Sequence, residues 1–193
     1  FMDQTGDPQN NGQGGSSKPN LPQEFIFRRG ADTPFVMADD QTVAEIGFVK
    51  SLPVTSQSMA MAPLTADQKV RAWGLYCPGV AGMARDSDPN SGNSQFFLMR
   101  ARFPSLESKY TAWGRVIAGQ DVVRAIKTGE PVEPPQDRME RVRVLADLPE
   151  AERPKVRVID PKGPWFKAEI AHEKTAKGAG FSACDVEIPV EVK

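Results

Sequence analysis

A mainly β fold is what this sequence predicts, and three observations carry it. Short stretches rich in β-branched and aromatic residues recur along the chain: EFIFRRG from Glu24, TPFVM from Thr33, GVAGMA from Gly79, QFFLM from Gln95, and KVRVID and DVEIPVEV towards the end. Turn formers, not helical runs, separate them, most densely from Asp86 to Ser94, D-S-D-P-N-S-G-N-S. Only two stretches read as helices, VVRAIK after Asp121 and PWFKAEIAHEKTAK after Gly163.

The elements follow in chain order. Phe1 to Asp7 reads as an extended strand running into a glycine-rich turn, Asn11 to Ser17; no initiator methionine precedes Phe1, which suggests a mature or truncated start. The turn lacks the G-x-x-x-x-G-K-[ST] pattern of a phosphate cradle, and no helix pattern follows it. Between Phe25 and Gly79 the two strand-like stretches are followed by SLPVTSQSMAMAP, Ser51 to Pro63, where proline and serine predict loops. Thr65 and Gln68 have capping-box spacing, which predicts a short helix before Trp73. Asp121 is then expected to cap VVRAIK, with Val122, Val123 and Ile126 on one face and Gly129 as the stop. Arg141 to Leu145 alternates like a strand.

Composition excludes several function classes. Lys and Arg number 24 against 25 Asp and Glu, a net charge of −1, with no basic cluster to attract nucleic acid or an anionic membrane. The longest apolar runs are too short to span a bilayer. Cys77 and Cys184 cannot make a zinc site by themselves; they form one disulfide in an oxidising compartment or remain two buried thiols. His172 is the single histidine, and its AHEKTAK context lacks the second histidine of H-E-x-x-H, so it reads as an exposed helix residue. Asp86-x-Asp88-x-Asn90 imitates an EF-hand opening, but Gly92 comes one residue late and Phe97 stands where the closing glutamate belongs. No metal and no cofactor is called for.

The stretch Gly79 to Arg102, GVAGMARDSDPNSGNSQFFLMRAR, resembles the signature segment of the cyclophilins, the peptidyl-prolyl cis/trans isomerases. F-M-x-Q-x-G-D at Phe1 to Asp7, with Thr5 where the family has glycine, is similar to the strand before the family's glycine-rich loop. Phe103 to Val116 is similar to its F/W-G-x-V stretch, with Ser105 at a position usually held by a large aromatic. The resemblance covers most of residues 1–25 and 79–145. It implies an antiparallel β-barrel with a capping helix over 1–148, interrupted by an insertion at about 26–75. Residues 149–193 lie outside the resemblance and, too short to build much core alone, are expected to form an extension that packs back on the barrel. The insertion is expected to be a lid, a partner-binding arm or a decoration.

The resemblance also implies a function and a site. Phe1, Met2, Phe97 and Leu106 would form a proline pocket; Gln4 and Gln95 would hydrogen-bond substrate backbone; Ala84 and Arg85 would pair with the residue before proline, with Tyr110 at the edge. Gln4, Gln95 and Phe97 are the residues assigned to catalysis. Alternation along the strand sets Gln95 and Phe97 on one face and Phe96 and Leu98 on the other, and the resemblance implies that the first face is the site and the second the core. The implied partners are proline-containing polypeptides and cyclosporin-like ligands, with no nucleic acid, no membrane insertion and a monomeric chain. The family's catalytic arginine and first barrel strands fall upstream of Phe1, so the chain is expected to be part of a longer domain. A non-catalytic proline-peptide-binding module is the alternative. The style of the loop is bacterial, and a periplasmic location is expected ahead of a cytoplasmic one.

Overall fold

The computed structural model describes residues 1–193. In chain order the strands are β1 (Met2–Thr5), β2 (Phe27–Arg29), β3 (Phe35–Gln41), β4 (Ala44–Val49), β5 (Leu52–Gln57) and β6 (Val70–Gly74). Then come β7 (Val80–Met83), β8 (Phe96–Met99), β9 (Ala112–Arg115), helix α1 (Gln120–Ala125), β10 (Val156–Val158), helix α2 (Pro164–Lys177) and β11 (Val190–Val192). Two antiparallel sheets dominate: β1-β8-β7-β9, built from the signature segments, and β2-β6-β5-β4-β3, built from residues 27–74. The first sheet does not close on itself: β1 and β9 each have one neighbour, so the barrel expectation is met by an open antiparallel sheet.

Ser51 to Pro63 was expected to be dominated by loops, and here the structure corrects the sequence. Ser51 to Pro63 contains β5, a central strand, followed by a 3-10 turn over Met59–Leu64. Pro53 is tolerated because it stands near the strand's start, where β6 has already ended and only the Leu75 N–H reaches its carbonyl. Thr65 and Gln68 make no helix. The Thr65 hydroxyl instead accepts the Lys69 N–H at 3.1 Å, and Gln68 takes a left-handed turn conformation that leads straight into β6. Inside this sheet Arg29 donates to Glu45 at 2.6 Å and to Ser56 at 3.0 Å, while Glu45 also accepts the Met59 N–H at 2.7 Å. Both ion-pair partners are buried, so removing either would strand the other charge.

Further corrections concern the signature sheet. Phe97 and Met99 face the core, at 2% and 0% exposure, whereas Phe96 and Leu98 are half-buried on the outer face. The predicted parity was right and its assignment to core was reversed, because Phe96 packs edge-on against exposed Trp113 at 5.7 Å. Helix α1 begins after Gly119, which takes the left-handed conformation, and Asp121 lies inside its first turn without capping it. Val123 alone is buried, Val122 is exposed, and the helix stops at Ile126 instead of running to Gly129. Arg100 does the capping at the other end: it pairs with Asp3 at 3.0 Å and donates to the carbonyls of Val123 and Ile126 at 3.1 and 2.8 Å. Arg141 to Leu145 forms no strand, because no sheet edge lies alongside it, and Val142, Val144 and Leu145 remain exposed. Alternation without a partner ladder is not a strand.

The tail behaves as its pattern predicts up to the point of docking. α2 spans the expected residues after Gly163, with Pro164 in its first turn and His172 exposed; β10 and β11 pair antiparallel. Phe166 and Ile170 are its buried stripe, and Phe166 meets Phe48 of β4 edge-on at 5.0 Å. Lys174 pairs with Asp39 of β3 at 2.7 Å. The helix thus packs on the five-stranded sheet and not on the signature sheet. Cys184 makes the link to the signature side through a disulfide to Cys77, which resolves the two readings of these cysteines. One apolar core results, drawing Val36, Phe48, Tyr76, Val80, Phe97, Met99, Phe166 and Ile188 from all three regions.

The disulfide joins residues 107 apart in sequence, so its loss frees a long loop in the unfolded chain. Replacing both cysteines by serine should lower the unfolding free energy by roughly 2–5 kcal/mol in urea titrations. An unchanged midpoint would show that α2 docks without the cross-link.

Candidate functional site

The site is built where β1, β8 and β7 lie side by side. Cross-strand pairing sets Gln4 opposite Phe97 and Phe97 opposite Gly82, so the three positions form one row across the sheet. A Cβ at position 82 would lie 2.3 Å from the Phe97 ring and 2.8 Å from that of Tyr76. Glycine is therefore needed there for space, not for backbone freedom. Phe97 fills that space, flanked by Tyr76 at 5.7 Å and by the edge of Tyr110 at 5.9 Å. Its ring belongs to the core on one side and to an open cleft on the other.

That cleft, of about 120 Å³, is lined by Phe1, Met2, Gln4, Ala84, Arg85, Phe97, Leu106 and Tyr110. The sequence-predicted site residues thus come together, Gln95 excepted. Leu106 closes a 3-10 turn, Pro104–Leu106, and Tyr110 follows on the same loop before β9. Phe1 stacks on Phe103 at 4.1 Å and 17° between planes, while Ser105 is exposed. Phe103 therefore braces the rim that Ser105, by its size, leaves bare.

Gln95 stands behind the cleft. Its amide nitrogen donates to the carbonyls of Gly12 and Gly14 at 3.2 and 2.8 Å, and its oxygen accepts from the Gln4 amide at 2.8 Å. Engaged in this way, it positions Gln4 in place of facing a ligand. The carbonyls of Gly12 and Gly14 are set in turn by Asp7, whose carboxylate accepts the N–H groups of Gln9, Asn11 and Gly12 at 2.8, 2.8 and 2.7 Å. Desolvation alone would raise the Asp7 carboxyl, but the backbone N–H groups of Gln9, Asn11, Gly14 and Gly12 outweigh it and hold the group below its ordinary value. Asp7 escaped the sequence reading. Its signal was an aspartate ahead of Asn-Asn-Gly, the start of an Asx turn.

Two further groups neighbour the lining residues, buried Tyr76 beside Phe97 and half-buried Glu107 next to Leu106. Burial pushes the Tyr76 phenol up, and its hydroxyl has no hydrogen-bond partner. Glu107, next to Leu106, has its carboxyl raised by burial, opposed by the charge of Arg102 and the polar side chain of Trp73 in β6. One of its oxygens is also without a partner. Among the lining side chains there is no thiol, hydroxymethyl, imidazole or carboxylate, so the arrangement suits holding an apolar ring beside an amide rather than nucleophilic or acid–base chemistry.

With the geometry in view, comparison with known proteins is informative. The family model described as cyclophilin type peptidyl-prolyl cis-trans isomerase/CLD matches residues 1–146. A Brucella abortus protein named "Probable peptidyl-prolyl cis-trans isomerase" is 47% identical over 58 residues, covering 30% of each chain. A Rhizopus delemar protein, "Peptidyl-prolyl cis-trans isomerase-like 3", is 36% identical over 66 residues, 34% of this chain and 38% of that one. The matched stretch is thus about a third of these relatives' length. The crystal structure of cyclophilin AquaCyp293 from Hirschia baltica superposes with a TM-score of 0.89 at 30% identity, covering 100% of this chain and 72% of that one. The five-stranded sheet and the tail are therefore part of a shared architecture, although the sequence resemblance did not reach them.

Two outcomes test the site's construction. Gly82→Ala should drive the Phe97 ring out of its slot, weakening peptide binding about tenfold or more while costing roughly 1–3 kcal/mol of stability; unchanged binding in a folded variant would show that Phe97 is not the cleft's floor. For Glu107 the folded carboxyl is raised, so the native state holds the proton more tightly and stability falls as pH rises through and above about 4.5. Glu107→Gln should thus be more stable than the parent at pH near 7, an advantage that vanishes at acid pH, as followed by thermal melts across pH.

Proposed function

This chain belongs to the cyclophilin-type peptidyl-prolyl cis-trans isomerase family, and from that premise we propose that it catalyses rotation about Xaa-Pro bonds in polypeptides. One observation carries the reading: Met2, Gln4, Phe97, Leu106 and Tyr110, from three separate stretches of sequence, converge on one cleft with an apolar floor and an amide at its edge.

The physical task fits such a site. Rotation about the prolyl bond faces a barrier of roughly 18–20 kcal/mol because it breaks amide resonance, and uncatalysed exchange takes tens of seconds or longer. The planar amide is more charge-separated than the twisted form, so a water-poor pocket favours twisting. Lowering the barrier by about 7 kcal/mol would speed exchange roughly 10⁵-fold. Phe97, Met2 and Leu106 hold the proline ring while the chain beyond it turns. Gln4, held at its Nε2 by Gln95, keeps its carbonyl oxygen and its second N–H for the substrate backbone. Ala84 and Arg85 continue from β7 past the ring, where an extended peptide can lie alongside.

Proline-containing polypeptides are the substrates this reading names, with cyclosporin-like macrocycles as ligands of the same cleft and a monomeric chain. The Cys77–Cys184 disulfide supports an oxidising compartment, the periplasm ahead of the cytoplasm; trapping the pair reduced in cells would overturn that location. A non-catalytic binding module is the second reading, favoured by exposed Ser105 at the rim.

NMR exchange spectroscopy on an Ala-Pro peptide decides between them. Isomerase activity gives cis/trans cross-peaks that grow with catalytic amounts of the chain and fall about tenfold or more in Phe97→Ala. Shifted peptide resonances without faster exchange would leave the binding module.

A further inference from the structure

Among the side chains lining the cleft, Arg85 alone carries a charge, and twisting a prolyl bond inside an apolar pocket does not explain it. The guanidinium is fixed from behind by backbone. Nε and Nη2 donate to the Lys109 carbonyl at 3.2 and 3.0 Å, and Nη1 donates to the Asp86 carbonyl at 2.7 Å. It lies over the Tyr110 ring, 4.5 Å from the centroid, and 5.3 Å from that of Phe25. These contacts leave an N–H on each of Nη1 and Nη2 without an acceptor.

No carboxylate completes the set. Arg28, Arg29 and Arg100 each pair with an acid, and Arg85 has no such partner. The neighbouring Asp86 carboxylate feels the guanidinium's charge but accepts the Asp88 N–H at 2.7 Å and makes no ion pair with Arg85. Glu24 and Arg85 both line a neighbouring cleft of about 150 Å³, with Phe25, Met83 and Trp113, yet they form no ion pair. Arg85 stands in the wall shared by that cleft and the proline cleft.

We propose that Arg85 is a specificity residue that selects polypeptides carrying an acidic side chain next to the proline. The inference rests on reading the cleft as a prolyl site. A planar fork with free N–H groups matches a carboxylate in shape and charge. Because three backbone bonds and two rings already hold it, little side-chain freedom is lost when an acid binds. Reach sets the position of the acid: Tyr110 walls the proline cleft and the guanidinium lies against that ring, so its partner belongs to a residue adjoining the proline. A lysine at the same place meets the charge and is rejected.

The test uses four peptides, Ala-Glu-Pro-Ala, Ala-Pro-Glu-Ala and their glutamine counterparts, each followed by exchange spectroscopy and by shift titration on the same chain. In at least one pair, the glutamate peptide is expected to exchange faster and bind more tightly than its glutamine isostere by about 2- to 5-fold at low salt. Near ~1 M salt, where the screening length is about 3 Å, the ratio should approach one in the unaltered protein. Arg85→Gln should bring the glutamate-to-glutamine ratio to one whatever it does to the glutamine peptides, and Arg85→Lys should retain part of it. Equal handling of both members by the parent, a preference that survives Arg85→Gln, or no binding of any peptide would each overturn the proposal. Preferential binding of a glutamate peptide without accelerated exchange of any peptide would sink the isomerase reading and leave the selection standing. Accelerated exchange with no preference would do the reverse.

Discussion

Everything around the cleft depends on one packing constraint, the ring of Phe97 occupying the space above Gly82. A side chain at position 82 and the ring cannot coexist, since their atoms would approach to 2.3 Å. The ring is held between Tyr76 behind and Tyr110 at its edge, and it is 2% exposed. A core residue and a site residue are thus the same residue. That economy has a structural consequence: the cleft floor moves only if the core moves, and close-packed cores move little.

The rigidity extends outward by two routes. Through the shared apolar core, which Leu106 packs against and to which Val36 and Phe48 belong, the turn bearing Leu106 leans on the five-stranded sheet. That sheet is itself backed by Phe166 of α2, and the tail is tied to the signature side through Cys184. The other route is polar: Asp7 shapes the glycine-rich loop, the loop's carbonyls hold the Gln95 amide, and Gln95 holds Gln4. Neither sheet would keep the cleft alone. The signature sheet has only β1, β8, β7 and β9, and the remaining walls of the core come from residues well outside it.

The sequence revealed the site far better than the scaffold, for physical reasons. The site residues sit on β1, β8 and the Pro104–Tyr110 loop, where strand parity and a specific motif both constrain them, and they do converge. α2 was legible because glycine and proline mark its start and its apolar positions recur with helical spacing. The five-stranded sheet was only half legible. Its β3–β4 and β4–β5 connections are the residue pairs Thr42-Val43 and Lys50-Ser51, neither of which carries the Asn-Gly or Asp-Gly signal of a tight hairpin. Pro53 and the serines then disguised β5 as a loop. Phe96 and Phe97 show the limit of alternation: it separates the two faces of a strand but does not say which one is covered. Arg141 to Leu145 shows another, because pairing depends on a neighbour that local pattern does not contain.

Arg85 lay within the reach of sequence reasoning, yet its meaning did not. It was expected to pair with the residue before proline, with no role assigned to its charge. What changes this is the company it keeps: two rings and two carbonyls that immobilise the guanidinium, and no acid within ion-pair distance. A mobile, solvated arginine at a rim contributes little, because its charge is screened and binding must order it. The same charge fixed beside an apolar pocket costs little to engage, and under the proposed function it would add a polar criterion to a cleft that otherwise reads only the shape of an apolar ring. An apolar pocket discriminates weakly between sequences that share the same ring, so a cleft with the proposed function would gain its selectivity at the edge, where a charge can meet the flanking side chain.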